Sequence, residues 1–263
     1  MKIVFISGYT IPELYFIHKI QQKYPEAAVV HRKATETGSP IVPLYKKRPF
    51  FRHLINGIDW KIRRICWDRL FFPNKAYPEI MNRHPIEWHL HNTPVGTAHI
   101  KSLSPDILIT CRAPIISNEL IRTPKIAAIN IHTGIVPQYR GNDTIFWPLY
   151  YSDFDYIGGT IHLLSEGLDK GNVLIQVRPD LHPSDGLFSL EFKTTLRLAD
   201  ALLYILKTIE TGSPNLTGKP QEFKGRNFKA SKRTPGKSLN YLFRRIKGTS
   251  RPPEQTGRVT YWL

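Results

Sequence analysis

The chain has 263 residues, of which 41% are hydrophobic and 11% aromatic, which is enough apolar side chain for a packed core and excludes wholesale disorder. The formal net charge is +16, and the two cysteines, Cys66 and Cys111, form no CxxC or CxxH pattern. This composition argues against a disulfide scaffold and a cysteine-rich zinc site. The apolar runs are too short for a signal peptide or a membrane span, so the sequence predicts a cytoplasmic protein.

The positive charge is confined to two segments. Between Lys46 and Arg69, eight basic residues stand against two acidic ones, a net charge of +6. Between Lys219 and Arg258, twelve stand against two, a net charge of +10. These segments, the first and second basic islands, account for the whole excess, so the rest of the chain is neutral.

In chain order, the neutral part alternates between predicted strands and helices. Apolar runs at 2–6, 27–31, 106–110 and 127–131 predict strands, the segments "GGTIHLL" and "NVLIQV" predict two more, and residues 189–210 have the periodicity of an amphipathic helix. This alternation predicts an α/β fold with a doubly wound, mostly parallel sheet, in which functional residues gather at the carboxyl ends of the strands.

The predicted organisation is a catalytic domain over residues 1–210, with a helical insert at about 33–92. A basic C-terminal extension over 211–263, rich in Lys, Arg, Pro and Gly, is expected to be partly disordered. Deleting residues 225–263 is expected to change partner binding more than turnover.

The segment "NIHTGIVPQYRG" places Asn130 and His132 two residues apart at the end of a predicted strand. Alternate residues of a strand share a face, so both side chains project together. An amide can donate to a developing oxyanion, and an imidazole can move a proton near neutral pH, which together suit attack of an amine on an acyl carbon. The structural alternative is an Asn that caps a turn and a His that is satisfied in the core.

A glycine-flanked loop, "EGLDKG", carries Asp169. Functional carboxylates often occupy such loops between rigid elements, and one near His132 would raise the basicity of the imidazole and fix its orientation. The alternative is an Asx-turn, which is the usual role of Asp in a glycine loop.

Together, "AAINIHTGIVPQYRG", "FWPLYYSD" and "GGTIHLLSEGLDKGNVL" resemble the folate-dependent formyltransferases. That family includes the glycinamide ribonucleotide, methionyl-tRNA and amino-sugar N-formyltransferases. The resemblance covers roughly residues 2–6 and 97–211. It implies the Rossmann-like formyltransferase fold, 10-formyltetrahydrofolate as the formyl donor, and transfer to an amine.

The resemblance also implies roles for single residues. Asn130 would hold the formyl oxygen as it becomes an oxyanion, His132 would be the general acid–base group, and Asp169 would pair with it. The residues beside the pterin would be Ala113, Pro114, Ile115, Ile116, Gly167 and Leu168.

The chain departs from the family pattern where Thr133 and Gly134 replace the usual Pro-Ser. It has an insert that the purine-pathway enzyme lacks, and too few residues after position 210 for the C-terminal barrel of methionyl-tRNA formyltransferase. By elimination, the expected acceptor is an amino sugar carried on a nucleotide, for surface polysaccharide, with Tyr139 and Arg140 binding it and Arg140 near the diphosphate. A methionyl-tRNA formyltransferase-like enzyme, an inactive binding module of the same fold and a nucleic-acid-binding protein remain alternatives.

The first basic island contains "FFRHLINGIDWKIRRICWDRLFF", in which apolar residues recur at helical spacing and Trp60 and Trp67 are a heptad apart. The segment predicts a helix that packs on the sheet, docks on an anionic membrane or contacts tRNA. Because Trp suits a headgroup interface, a peripheral membrane contact is favoured over tRNA. No HExxH-like spacing occurs among the histidines, so no metal is expected. His162 is expected either in the core or behind the catalytic residues, rather than in catalysis itself.

Overall fold

The computed structural model describes residues 1–8, 10–32, 50–86, 92–113, 115–167, 169–212 and 216–263. Its helices are α1 (Ile11–Lys23), α2 (Phe50–Phe71), α3 (Pro94–Ser102), α4 (Asn118–Ile121), α5 (Phe146–Tyr151), α6 (Leu187–Glu210) and α7 (Pro235–Ile246). Its strands are β1 (Ile3–Ser7), β2 (Ala28–Arg32), β3 (Arg83–Ile86), β4 (Ile107–Cys111), β5 (Ala127–His132), β6 (Tyr139–Gly141), β7 (Gly159–Leu163), β8 (Val173–Arg178), β9 (Arg226–Phe228) and β10 (Arg258–Tyr261).

Among the described residues, one central sheet has eight strands in the order β10-β8-β7-β5-β4-β1-β2-β3. The five strands from β5 to β3 are parallel to their neighbours, whereas β7 is antiparallel to both β5 and β8, and β10 is antiparallel to β8. Strands β6 and β9 form a separate parallel pair. The prediction of an α/β fold with a mostly parallel sheet is confirmed.

The central strands are apolar on both faces because helices cover both faces of the sheet. All five residues of β1 and of β4 are buried, as expected for parallel strands inside a doubly wound sheet. Helix α6 packs on β7 and β8, and α1 and α2 pack beside it. The core therefore holds β4 and β5 rigidly, and their carboxyl ends form the frame of the site.

The first basic island contributes to this core. Helix α2 packs against α1 and α6, and Trp67 is only 2% exposed within the main hydrophobic cluster. The ring of Trp67 is therefore not available to a membrane headgroup region, which corrects the expectation that it contacts a membrane. The side chain of Trp60 lies outside the described residues. Part of the predicted insert, β3, is the edge strand of the central sheet.

The second basic island also has regular structure within residues 216–263. Strand β10 extends the central sheet by pairing with β8, while Phe228 and Tyr241 are buried in a second hydrophobic cluster. Composition suggested partial disorder, but these apolar anchors fold the segment onto the body. Over the described part of the chain, no helix has both the length and the apolar composition to cross a membrane.

Candidate active site

The side chains of Asn130 and His132 lie together at the carboxyl end of β5. This strand runs between β4 and β7, and the intervening Ile131 is buried in the main core. Alternation along the strand thus sends the amide and the imidazole to the same face, as the sequence predicted. Asp169, from the loop between β7 and β8, reaches both of them.

Asp169 is the residue on which the site converges. Its Oδ2 lies 3.7 Å from His132 Nδ1 and accepts a hydrogen bond from the Gly141 N–H at 3.0 Å. Its Oδ1 lies 3.6 Å from His162 Nε2 and 3.4 Å from Asn130 Nδ2. The carboxylate is buried, so these contacts operate with little screening by water.

The imidazole of His132 is oriented by the loop that follows β5. Its Nε2 lies 3.0 Å from the carbonyl oxygen of Tyr139. Because a carbonyl only accepts, Nε2 carries a proton and Nδ1 faces Asp169. Gly134 makes room for this ring, since a Cβ built there would lie 2.6 Å from His132 Nε2.

The amide of Asn130 is fixed from both ends. Its Oδ1 accepts from the Thr110 hydroxyl at 2.8 Å, and its Nδ2 donates to His162 Nε2 at 3.0 Å. The other ring nitrogen of His162 donates to the carbonyl of Leu163 at 2.8 Å, which leaves Nε2 as the acceptor. His162 is buried and also contacts Asn130 and Asp169, so it combines the two roles that the sequence left open for it. The informative signal is cross-strand pairing, because Asn130 lies opposite His162 between β5 and β7.

Electrostatics favour the ionised form of Asp169. Burial alone would raise the pKa of this carboxyl, but the imidazoles of His132 and His162 beside it and the Gly141 N–H together hold the pKa of Asp169 well below its usual range. The carboxylate is therefore negative at neutral pH. It can stabilise positive charge that develops on the imidazole when His132 takes a proton.

The two expected acceptor-side residues differ in their placement. The ring of Tyr139 is buried and stacks on Phe228 with centroids 5.5 Å apart, and its hydroxyl donates to Asp153. Burial and the charge of Asp153 raise the pKa of Tyr139 strongly. Tyr139 thus contributes its carbonyl oxygen to the site, while its ring belongs to the second hydrophobic cluster.

Arg140 is only 5% exposed. One Nη donates to the carbonyl of Gly225 at 3.1 Å, whereas Nε has no hydrogen-bond partner among the residues that the structure describes. Within the part of the chain that the structure describes, no carboxylate lies within ion-pair distance of this guanidinium. A buried cation without a counter-charge is costly unless an anion joins it.

The expected donor side is formed by two loops joined by a hydrogen bond. Asn118 donates to the Glu166 carboxylate, which holds the segment after β4 against the loop that contains Gly167. Ile115 is exposed and its carbonyl accepts from Asn92 at 2.7 Å.

The remaining residues that are expected beside the pterin differ in their burial. Ala113 is half-buried, and Ile116 is buried in a third hydrophobic cluster formed with residues of β1, β2 and β4. The Ile116 side chain thus packs against the sheet. Pro114 and Leu168 lie outside the described residues.

A chain of opposite charges links both basic islands to this site. Asp143, two residues after β6, pairs with Arg63 at 2.9 Å and with Arg233 at 2.8 Å. Arg63 also pairs with the buried Glu191 at 3.2 Å. Burial raises the pKa of Glu191, an effect that the charges of Arg63 and then Arg112 oppose. Two of the arginines in the islands therefore neutralise internal carboxylates.

Within the described residues, no group of three His, Cys, Asp or Glu side chains is arranged to hold a metal ion. The site is instead built from one carboxylate, two imidazoles and an amide. Such a set can accept a proton, stabilise the resulting charge and donate a hydrogen bond to a developing oxyanion.

Comparisons with known proteins find similarity to formyltransferases. The Formyl transferase family matches residues 88–203, which include Asn130, His132 and Asp169. A methionyl-tRNA formyltransferase from Thermosynechococcus vestitus is 31% identical over 123 residues, covering 46% of this chain and 36% of that relative. The chain thus spans little more than a third of this relative's length.

Solved structures with the same fold cover nearly the whole chain. A sugar N-formyltransferase from Shewanella sp FDAARGOS_354 aligns with a TM-score of 0.59 at 18% identity, covering 92% of this chain and 87% of that one. The formyltransferase PseJ from Anoxybacillus kamchatkensis, in complex with UDP-4,6-dideoxy-4-formamido-L-AltNAc and tetrahydrofolate, aligns with a TM-score of 0.52 at 17% identity, covering 96% and 95%. Residues 88–203 thus match the Formyl transferase family, and the solved structures share the fold of the whole chain, in agreement with the resemblance that the motifs carry.

Proposed function

We propose that the protein transfers the formyl group of 10-formyltetrahydrofolate to the primary amine of an amino sugar carried on a nucleotide. The observation that carries this proposal is the buried, ionised Asp169 held between His132 and His162 beside the Asn130 amide. A structural turn residue would need none of these contacts. The arrangement instead supplies a proton acceptor, its counter-charge and an oxyanion donor within one face.

The folate supplies an activated formyl carbon. His132 accepts the proton that the attacking amine loses as the new C–N bond forms, and Asp169 stabilises the resulting imidazolium. One Asn130 N–H donates to the oxyanion. To do so, the amide would give up the weaker of the two contacts that Nδ2 now makes, the one with Asp169 at 3.4 Å. The same proton then passes to the folate nitrogen as the C–N bond to the donor breaks, so the transfer is balanced.

The donor pocket in this proposal lies between the segment after β4 and the Gly167 loop, which the Asn118–Glu166 hydrogen bond holds together. Ile115 is exposed there and Gly167 presents backbone without a side chain. An exposed apolar side chain beside bare backbone suits a flat ring that needs one apolar face and backbone hydrogen bonds.

Arg140 supports a phosphorylated acceptor. Its buried guanidinium, which has no carboxylate partner among the described residues, follows directly on Tyr139, whose carbonyl orients His132. A diphosphate would satisfy its free N–H and its charge. PseJ, which has this fold, was solved with a nucleotide-linked formamido sugar, and this supports the same acceptor class here.

A second candidate is a methionyl-tRNA formyltransferase-like activity. It is favoured by the curated relative with that name, which is 31% identical over 123 residues. The exposed part of the second basic island would then contact RNA phosphates.

Formyl transfer with the purified protein tests both candidates. The assay offers 10-formyltetrahydrofolate with a panel of UDP- and dTDP-linked 3-amino and 4-amino sugars, and separately with methionyl-tRNA. We expect formamido product with one sugar nucleotide, abolished by Asp169→Asn and retained by the matched control Asp200→Asn, whose carboxylate is exposed. Product with methionyl-tRNA alone would replace the first candidate by the second, and no product with any amine would refute both.

A further inference from the structure

Helix α7 is oriented with its apolar stripe away from the protein. The large apolar residues on this stripe are Leu239 (71% exposed), Leu242 (52%), Phe243 (56%) and Ile246 (76%). Their spacing places them on one face about 100° wide. A helix of a globular protein normally buries such a stripe, so its exposure requires an explanation.

The polar face of α7 is the one attached to the body. Arg244 donates to the carbonyl of Tyr150 at 2.5 Å, and Arg245 donates to the carbonyl of Ser184 at 2.5 Å. Between them, Tyr241 is buried against Phe146 with ring centroids 5.7 Å apart. These contacts fix the rotation of the helix about its axis, so the stripe faces outward as a result of specific anchoring.

The surroundings of the stripe are strongly basic. Residues 223–253 contain ten basic residues and no acidic one. Lys247 lies at the edge of the stripe, with its Nζ 4.4 Å from the centre of the Phe243 ring. Lys232 and Arg251, on either side of the helix in sequence, are exposed.

The positive charge and the apolar stripe together indicate which kind of partner could cover this face of α7. A second copy of this chain would bring the same positive charge to the contact, which costs free energy. A nucleic acid would satisfy the lysines but would leave four large apolar side chains without a partner. An anionic bilayer satisfies both, because its headgroups are negative and its acyl boundary is apolar.

We propose that the outer face of α7, comprising Leu239, Leu242, Phe243 and Ile246, docks on an anionic lipid membrane, with Lys247 at its edge and the exposed Lys232 and Arg251 in the flanking segments. The helix lies in the plane of the interface with its stripe inserted. The inner arginines keep their contacts with the body, so the catalytic domain is held at the bilayer surface. This proposal does not depend on which amine is formylated.

Co-sedimentation of the full chain with vesicles tests the proposal. We expect binding to phosphatidylcholine vesicles that contain phosphatidylglycerol, no binding to pure phosphatidylcholine, and release as salt rises. Leu239→Gln with Ile246→Gln should weaken binding at least about tenfold, because two apolar side chains lose their burial. Lys232→Gln with Lys247→Gln and Arg251→Gln should weaken it about 100-fold, since each cation near such a surface contributes about fivefold.

The matched control is Val95→Gln with Ile126→Gln, which changes two exposed apolar residues outside α7 and should leave binding unchanged. Thermal unfolding of every variant confirms that each remains folded. The proposal is overturned if the protein ignores anionic vesicles, or if the stripe variant binds them as well as the control does. Concentration-dependent self-association that the stripe variant abolishes, with no vesicle binding, would show that a second copy covers the stripe instead.

Discussion

Replacing Asp169 by Asn removes one negative charge from the centre of the site while keeping the size of the side chain. The carboxylate now accepts from the Gly141 N–H at 3.0 Å and faces one ring nitrogen each of His132 and His162. In the variant, one oxygen becomes an NH₂ group. Placed at the Oδ1 position, that group would meet the Asn130 NH₂ at 3.4 Å, donor against donor.

The size of the effect follows from these contacts. A hydrogen bond to a charged group contributes about 1.5–3 kcal/mol to stability, so the loss of the charge on the Gly141 contact should cost roughly that much. The catalytic cost should be larger, because the imidazolium of His132 would have no counter-charge. A general acid–base group contributes about 10²–10⁴-fold, and we expect kcat/KM to fall within that range.

The stabilisation that Asp169 contributes should decrease as the pH falls. The pKa of Asp169 is lowered in the folded state, so its contribution to stability is present above the unfolded pKa and is lost as pH falls. Urea unfolding of wild type and Asp169→Asn should therefore show a stability difference near pH 7 that shrinks below about pH 4. Asp200→Asn serves as the control at each pH.

Two results would refute this reasoning. Turnover within about threefold of wild type would show that His132 needs no counter-charge. A stability difference that persists unchanged to low pH would show that the Asn disturbs packing rather than charge.

Three further predictions concern the surroundings of the catalytic set. Gly134→Ser should destabilise the protein by about 1–3 kcal/mol in urea unfolding and lower kcat, because its Cβ would lie 2.6 Å from His132 Nε2; unchanged kcat would show that the ring has room to move. Asp143→Asn should cost about 3 kcal/mol, since two arginines lose a shared partner, and a cost below about 0.5 kcal/mol would mean that solvent already screens the cluster. Arg140→Lys should raise KM for a sugar nucleotide at least about tenfold and leave KM for the folate unchanged; an equal change in both KM values would assign Arg140 a structural role.

Local sequence predicted the part of the site that lies on one strand. The alternation of β5 alone places Asn130 and His132 on one face, and the glycines around Asp169 identify its loop. The contact between His162 and Asn130 depends on the pairing of β5 with β7. This pairing joins distant parts of the chain, so no local sequence pattern predicts it. The gap left by Gly134 for the imidazole likewise depends on how the loop folds back.

Helical periodicity identified α2 but not the direction in which it faces. The spacing of Trp60 and Trp67 is compatible with either an outward or an inward ring, and packing on α1 and α6 buries Trp67. In α7 the periodic stripe would predict burial, yet Arg244 and Arg245 anchor the opposite face. Hydrogen bonds from arginines to backbone carbonyls are not visible in a pattern of apolar residues.

The second basic island supports the site on its inner side, which changes the expected result of its deletion. Gln221 donates to the carbonyls of Asp169 and Gly171 at 2.8 and 2.9 Å, just before the segment to be removed. The carbonyl of Gly225 accepts from Arg140, and strand β9 pairs with β6, whose Gly141 holds Asp169. The deletion therefore exposes the ring of Tyr139, which now stacks on Phe228.

Deletion of residues 225–263 should accordingly lower both stability and turnover, whereas composition predicts a larger change in partner binding than in turnover. Removal of β10 also exposes the edge of β8, which adds a risk of aggregation. Substitutions on the outer face of α7 should separate the two effects, because Leu239 and Ile246 make no contact with the catalytic set. Measuring kcat and unfolding for the deletion variant and for Leu239→Gln with Ile246→Gln tests whether the second basic island supports the site. A deletion variant with wild-type kcat and stability would show that β6 and Asp169 hold their positions without the second island.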